Sequence, residues 1–206
     1  IADGARTGPI QRIDPKVASR IPSPRGTIED LLIQAPVNFT SELSSGYNVR
    51  GGSFDENLVY VNDVEVYRPF LVRAGQQEGL SFPNPDMVES IEFSAGGFEA
   101  KYGDKMSSVL DIQYRKPRKA ATRFTASMLG AQAQQDLVSQ KGPASHRLWT
   151  ANTGVRYRDN SYVLGSLDEG GEYQPRYLDV QSFITIDPDG YGPWEIELLG
   201  IYGQND

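Results

Sequence analysis

The 206-residue sequence contains no cysteine and a single histidine, His146. The lack of cysteine excludes disulfides, zinc–thiolate sites and cysteine nucleophiles. The histidine is one candidate base for serine–histidine–acid chemistry, but no nucleophile motif accompanies it. The turn at residues 187–190 begins like a calcium loop and lacks the closing glutamate at the required spacing. We therefore expect no enzyme activity, no resident metal and no cofactor.

The sequence also lacks a long apolar run. No stretch approaches the roughly 20 apolar residues that a membrane-spanning helix needs. A transmembrane strand needs only about 9–11 residues of alternating polarity. The missing run therefore argues against a spanning helix among these residues, and membrane-spanning strands stay open.

Basic residues are the minority among the charges. The chain has 20 lysines and arginines against 27 aspartates and glutamates, a formal net charge of −7. A nucleic-acid-binding domain needs a basic surface that neutralises phosphates, so we expect no nucleic-acid partner. The basic run at residues 115–119 is interpreted as a charged linker between two structural units.

Residues 1–117 have the pattern of a small domain of mixed α and β structure. Prolines and glycines in residues 1–26 predict an extended lead-in. Residues 27–34 predict a helix, because a threonine can cap its start, apolar residues share one face and a proline follows its end. Short strand patterns come next, and Asn62-Asp63 between two apolar stretches predicts a tight hairpin.

Residues 118–206 have a different periodicity. Residues 177–186 alternate between an apolar face and a more polar face, and residues 123–134, 149–157 and 194–202 predict three further strands. Tryptophan or tyrosine stands at several strand ends, as on the bilayer-facing side of a transmembrane barrel. A soluble antiparallel sheet with one hydrated face gives the same periodicity, so both architectures stay open on this pattern.

Three segments, in order, resemble the plug domain of TonB-dependent outer-membrane receptors. Residues 28–37 resemble the family's helix and the corner that follows it, without that corner's glycine. Asn48-Val49-Arg50-Gly51 and residues 57–64 resemble its isoleucine-arginine-glycine motif and a strand ending in a turn, with Asn62-Asp63 in place of Asp-Gly. Residues 87–112 resemble the family's glycine and tyrosine-glycine signature closely. Residues 82–86 and Gly96-Gly97-Phe98 resemble the subgroup whose members have a carboxypeptidase-regulatory-like domain ahead of the plug.

The resemblance implies a fold and a domain organisation. Residues 1–26 are expected to be an extended lead-in, and residues 27–117 an α+β plug in which short helices accompany a small mixed β-sheet. Residues 118–206 are expected to supply the first antiparallel strands of a transmembrane β-barrel. About four strands cannot close a barrel and would leave unpaired edges in the membrane, so we expect the chain to be part of a longer protein.

The resemblance also implies a function. The family's plug fills a barrel in the bacterial outer membrane and gates the energised uptake of a scarce substrate. The implied partners are TonB, through a segment expected upstream of Ile1, the rest of the barrel, the lipid bilayer, and a small-molecule, glycan or peptide substrate. Two alternatives stay open, a plug-like interaction or signalling module without its own transport and a soluble β-rich binding protein.

Candidate site residues follow from the same motifs. Arg50 matches the family's arginine that pairs with acidic barrel residues and locks the plug in place. Backbone requirements are expected at the turn positions Gly51, Asn62, Asp63, Gly96, Gly97, Tyr102 and Gly103. A possible substrate-contact loop contains Tyr67, Arg68, Phe70 and Arg73, and packing of that loop on the barrel wall stays an alternative.

Overall fold

The structure is a computed structural model. It describes residues 10–15, 28, 31–32, 35, 37–39, 46–67, 73–74, 77–78, 81–96, 98–103, 107–127, 130–141, 146–159, 176–187 and 194–205. The chain divides into two compact units, Ile1–Tyr114 and Arg115–Asp206, which we call the first unit and the second unit.

Nine strands are described in the first unit. They are β1 (Ile10–Ile13), β2 (Val37–Phe39), β3 (Tyr47–Val49), β4 (Asn57–Val61), β5 (Val64–Glu65), β6 (Arg73–Ala74), β7 (Gln77–Glu78), β8 (Val88–Ser94) and β9 (Ser108–Tyr114). Five of them form one sheet in the order β1-β8-β9-β4-β5. The pairing of β4 with β9 is parallel and the other pairings are antiparallel, so the mixed sheet that the sequence predicted is confirmed.

The core of the first unit lies against this sheet. Leu58, Ile91 and Ile112 are almost completely buried on the three inner strands, and the ring of Tyr47 meets that of Phe93 edge to face. Side chains of this kind contribute about 1.5–3 kcal/mol each when fully buried. Strand β1 adds an edge to the sheet from within the segment where an extended lead-in was expected.

The described residues of the helix predicted at residues 27–34 have the hydrogen bonding of a 3-10 helix. Among its described residues, Ile28, Leu31 and Leu32 are fully buried, which confirms the predicted apolar face. The Leu31 amide donates to the Ile28 carbonyl and the Ala35 amide to the Leu32 carbonyl, a three-residue spacing typical of a 3-10 helix. The other described helical turns, Phe54–Glu56 and Pro85–Met87, are also 3-10.

No helix in the described part of the chain is both long enough and apolar enough to cross a membrane.

The second unit is an antiparallel meander. Its described strands are β10 (Ala121–Ser127), β11 (Gly130–Lys141), β12 (His146–Asp159), β13 (Arg176–Ile186) and β14 (Ile196–Asn205), and each pairs with the next along the chain. The prediction of one strand over residues 123–134 is wrong, because β10 and β11 form two strands there. Gly130 follows the turn, and a Cβ atom on it would lie 2.0 Å from the Tyr157 carbonyl oxygen.

This meander buries polar side chains on one face and exposes apolar side chains on the other, which is the reverse of a soluble sheet. On the buried face lie mainly polar side chains: Gln134, Asp136, Thr150, Asn152, Arg156, Asp179, Gln181 and Thr185. On the opposite face large apolar side chains are exposed: Phe124, Leu137, Trp149, Val155, Tyr157, Leu178, Ile196, Leu198 and Tyr202. A polar inside and an apolar outside are the arrangement of a transmembrane barrel wall, in which the outer surface meets lipid.

Candidate functional site

Arg50 lies in the turn that ends strand β3. Its φ is 49° and that of Gly51 is 84°, and the Gly52 amide donates to the Val49 carbonyl over 2.9 Å. A left-handed backbone is uncommon for a residue with a side chain. The guanidinium lies beside the turn at Gly96, where a Cβ atom would be 3.1 Å from an Arg50 nitrogen. Arg50 is exposed and forms no ion pair with the described residues.

Gly52, two residues after Arg50, is a position whose importance the sequence motifs do not indicate. A Cβ atom there would lie 1.8 Å from the Ser107 hydroxyl oxygen and 2.5 Å from a Glu56 carboxylate oxygen. The Ser107 hydroxyl donates to Glu56 over 2.7 Å, so this bond passes directly against the glycine. The signal in the sequence is the second glycine of the Gly51-Gly52 pair.

The turn at Asn62-Asp63 joins strands β4 and β5. Both residues have positive φ, 49° and 61°, as the tight hairpin requires. The Asn62 amide donates to the Ile112 carbonyl over 2.9 Å, and the Asn62 side-chain oxygen accepts from the Tyr114 amide over 2.7 Å. The side-chain oxygen of Asn62 therefore adds a second bond between the turn and the end of strand β9, which a glycine could not form.

Asp111, on the central strand β9, is the centre of a polar cluster. It is 7% exposed and accepts hydrogen bonds from the Tyr102 hydroxyl and, over 2.9 Å, from the Gln113 side chain. The Lys101 ammonium lies 3.5 Å from Asp111 and 3.6 Å from Asp63. The segment containing Lys101 and Tyr102 therefore binds both β9 and the turn between β4 and β5.

The pKa values of Tyr102 and Lys101 in this cluster are raised. Burial, followed by the hydrogen bond to Asp111, raises the pKa of Tyr102 to about 12. The hydrogen bond with Tyr102, helped by the charges of Asp111 and Asp63, raises the pKa of Lys101 above its ordinary value. Tyr102 and Lys101 therefore both stay protonated at neutral pH. The buried Asp111 carboxylate then keeps its hydrogen bond from Tyr102 and its ion pair with Lys101.

A charged row extends from this cluster to the edge of the sheet. Asp111 is in register with Glu92 on β8, and Glu92 with Arg12 on β1, so the three side chains lie on one face. The Arg12 guanidinium donates to Glu92 over 2.8 Å. A cavity of about 40 Å³ lies beside Glu92, Lys101, Tyr102 and Asp111, which is enough space for a water molecule.

The remaining predicted site residues are spread over the first unit. Arg68, Phe70 and Gly97 lie outside the described residues. Tyr67 is 83% exposed, and the backbone of Arg73 pairs with that of Glu78 in the β6–β7 hairpin. Gly96 has a φ of 82°, whereas a Cβ atom on Gly103 would meet open space. Among the described residues no group of three or more acidic or histidine side chains is placed to hold a metal ion.

The second unit has a buried ion pair at its centre. The Arg156 guanidinium donates to both carboxylate oxygens of Asp179, over 2.8 and 3.0 Å, and each side chain is 1% exposed. Gln181 also donates to Asp179 over 3.1 Å. Arg156 and Asp179 are in register on strands β12 and β13, so the pair fixes the alignment of these two strands.

A family model identifies the chain. Residues 5–109 match the model of the TonB-dependent receptor plug domain, just over half of the sequence. The chain belongs to this family. The resemblance on residues 28–112 is thereby confirmed, and the family is one of receptors and transporters. The relation to the subgroup with an additional upstream domain stays a prediction.

Solved receptor structures share the fold over almost the whole chain. A variant of the ferric enterobactin receptor PfeA from Pseudomonas aeruginosa is 16% identical, with a TM-score of 0.63, over 97% of this chain and 33% of that one. The P. aeruginosa FpvA bound to pyoverdines is 14% identical, with a TM-score of 0.64, over 97% and 26%. The outer membrane transporter YddB from Escherichia coli is 13% identical, with a TM-score of 0.64, over 96% and 33%.

This TonB-dependent receptor chain thus spans between a quarter and a third of the length of these three relatives. Its second unit matches their barrel strands, which confirms the predicted fold class of a plug followed by antiparallel barrel strands. A comparison with curated proteins finds no match.

Proposed function

We propose that the chain gates a pore in the bacterial outer membrane. Residues 10–114 plug the lumen of a β-barrel whose first strands are β10–β14, and the plug rearranges to admit a scarce substrate. The observation that supports this best is the inverted polarity of the second unit, which buries Arg156 and Asp179 and exposes Leu178 and Leu198. Such a sheet is unfavourable in water and favourable between lipid and a polar lumen.

Energy for the rearrangement comes from TonB in the inner membrane. The substrate is a small molecule, glycan or peptide that the receptor binds on its extracellular side. In this proposal Tyr67, Arg68, Phe70 and Arg73 belong to a loop that contacts the substrate. The exposed ring of Tyr67 supports this assignment, because an exposed aromatic side chain can stack on a ligand.

Arg50 has the role of a lock in this proposal. Its exposed guanidinium, held in a left-handed turn beside Gly96, is available to acidic side chains of the barrel. Breaking one side of a buried ion pair costs about 3–5 kcal/mol, so such a lock would hold the plug until energy is supplied.

The test is the permeability of cells that produce the full-length receptor without residues 10–114. We expect these cells to become sensitive to vancomycin, a glycopeptide that an intact outer membrane excludes. The control is the same receptor with Glu89→Gln, a substitution at an exposed plug position. Equal vancomycin resistance in the two strains, at equal receptor levels in the outer membrane, would refute the gating proposal.

A further inference from the structure

The segment that follows the first unit crosses three strands of the second. The Arg115 guanidinium lies 3.0 Å from Asp136 on β11, and the Arg115 carbonyl accepts from the Asn152 side chain on β12 over 3.3 Å. One residue later, the Lys116 ammonium lies 2.8 Å from Glu195, just before β14, and also pairs with Glu197 within that strand. Two consecutive basic residues thus bind side chains of β11, β12 and the β14 end.

The Arg115 contacts belong to a closed ring of buried groups. Gln134 donates from one side-chain nitrogen to Asp136 over 2.7 Å and to Asn152 over 2.8 Å. Asp136 and Asn152 are directly opposite each other on β11 and β12, and both are buried. Arg115 closes the ring, because its guanidinium binds Asp136 and its carbonyl binds Asn152. Withdrawing Arg115 would remove the only cation that pairs with the buried Asp136 among the described residues, and it would also remove an acceptor of the Asn152 side-chain nitrogen.

Lys116 makes the second attachment. Burial alone would lower the pKa of Lys116, but the hydrogen bonds to Glu195 and Glu197 raise it above its ordinary value. The ammonium therefore stays charged at neutral pH and keeps its ion pairs with Glu195 and Glu197.

We propose that Arg115 and Lys116 form an anchor on the barrel wall, so that the part of the chain that rearranges ends at Tyr114. The chain before the anchor moves when the pore opens, and the chain from Arg115 onward stays fixed to the barrel wall. Arg115 and Lys116 are positioning residues in this scheme and contact no substrate. The inference rests on the proposed gating function and adds the point at which the moving part ends.

The next two basic residues provide a matched control. Arg118 and Lys119 have the same charges, lie in the same segment and are exposed. In the full-length receptor, the double variant Arg115→Gln with Lys116→Gln should lower the inhibitory concentration of vancomycin by about fivefold or more, the low end of a typical coupling between sites. Arg118→Gln with Lys119→Gln should leave that concentration unchanged. The charge swap Arg115→Asp with Asp136→Arg should restore most of the resistance that Arg115→Asp alone removes.

A measurement on the unmodified receptor covers the case in which the anchor variant does not assemble. Trypsin is added to the full-length receptor at increasing urea concentrations, and the cleaved bonds are identified by mass spectrometry. We expect cleavage after Lys101 at a lower urea concentration than cleavage after Arg115, and cleavage after the exposed Arg118 without urea. Cleavage after Lys101 and Arg115 at the same urea concentration would overturn the anchor.

The receptor without residues 10–114 distinguishes the two proposals. If its pore is open and the anchor variant stays as resistant as the control variant, the anchor is refuted and the gating function stands. If the deletion leaves the barrel closed to vancomycin, the gating function fails, and the anchor fails with it.

Discussion

At the residue scale, the plug depends on close packing at a few small or polar side chains. Gly52 touches the Ser107–Glu56 hydrogen bond, and Asn62 fastens a turn to the end of β9. These residues are far apart in sequence from their partners, by 51 residues for Ser107 and Glu56 and by 52 for Tyr114 and Asn62. Sequence motifs predict the turn at Asn62-Asp63, but neither the importance of Gly52 nor the distant partners of these residues.

Gly52→Ala should destabilise the plug by about 1–3 kcal/mol, because the added methyl group displaces Ser107 from Glu56. The measurement is hydrogen exchange of the β9 amides in the full-length receptor. Gly103→Ala is the matched control and should change the free energy of opening by about 0.5 kcal/mol or less, because its Cβ atom meets open space. Equal effects of the two substitutions would show that the contact with Ser107 does not matter.

Tyr102 makes the stability of the plug fall at alkaline pH. Its folded-state pKa of about 12 lies above the ordinary value of 10.0, and that of Lys101 is also raised. Groups with raised folded-state pKa values stabilise fully below their unfolded pKa, and this contribution is lost as the pH rises through the folded pKa. The plug should therefore lose stability from about pH 10 to pH 12.

The difference in absorbance at 295 nm between the unmodified receptor and Tyr102→Phe isolates the titration of this one tyrosine. We expect a single step centred near pH 12. At neutral pH the same variant should weaken the plug by about 1–3 kcal/mol, because the buried Asp111 loses a donor. A step centred near pH 10, the ordinary tyrosine value, would contradict the cluster geometry.

At the element scale, strand periodicity located the barrel strands but not all their ends. The alternation over residues 177–186 predicted β13, and burial alternates from residue to residue along that strand. The strand predicted over residues 123–134 contained a hairpin instead, because small and polar residues there obscure both the turn and the alternation. The apolar face of residues 27–34 predicted a helix but not its 3-10 hydrogen bonding, because such a face fits a 3-10 turn as well as an α-helix.

The buried pair Arg156–Asp179 should be the largest single polar contribution to the alignment of β12 and β13. Arg156→Met should destabilise the barrel by about 3–5 kcal/mol, because Asp179 is left buried and charged. The partly exposed pair Arg176–Asp159 on the same two strands is the control, and Arg176→Met should cost about 1 kcal/mol or less.

Urea unfolding of the full-length receptor in detergent micelles, followed by tryptophan fluorescence, measures both changes. The double variant Arg156→Met with Asp179→Leu should be more stable than Arg156→Met alone, because both buried charges are then removed. A double variant as unstable as the single variant would indicate that the side chains act through packing and not through charge.

At the scale of the whole molecule, the sequence predicted the family and the fold of each unit. It did not predict which residues distant in sequence come together within each unit. Ordered motifs over residues 28–112 carried the family assignment. The row from Arg12 through Glu92 to Asp111 arises because strands distant in sequence become neighbours in the sheet, which no local pattern encodes. The periodicity of residues 118–206 left two architectures open, and the burial of polar side chains in the folded sheet favours the barrel wall.

Single-channel conductance in planar lipid bilayers tests the central claim most directly. The purified full-length receptor is compared with the same receptor lacking residues 10–114. Our account predicts that the intact receptor inserts and stays closed, and that the shortened receptor conducts as a wide, steady pore. Equal conductance of the two proteins, whether both are closed or both are open, would contradict the claim that this domain plugs a barrel.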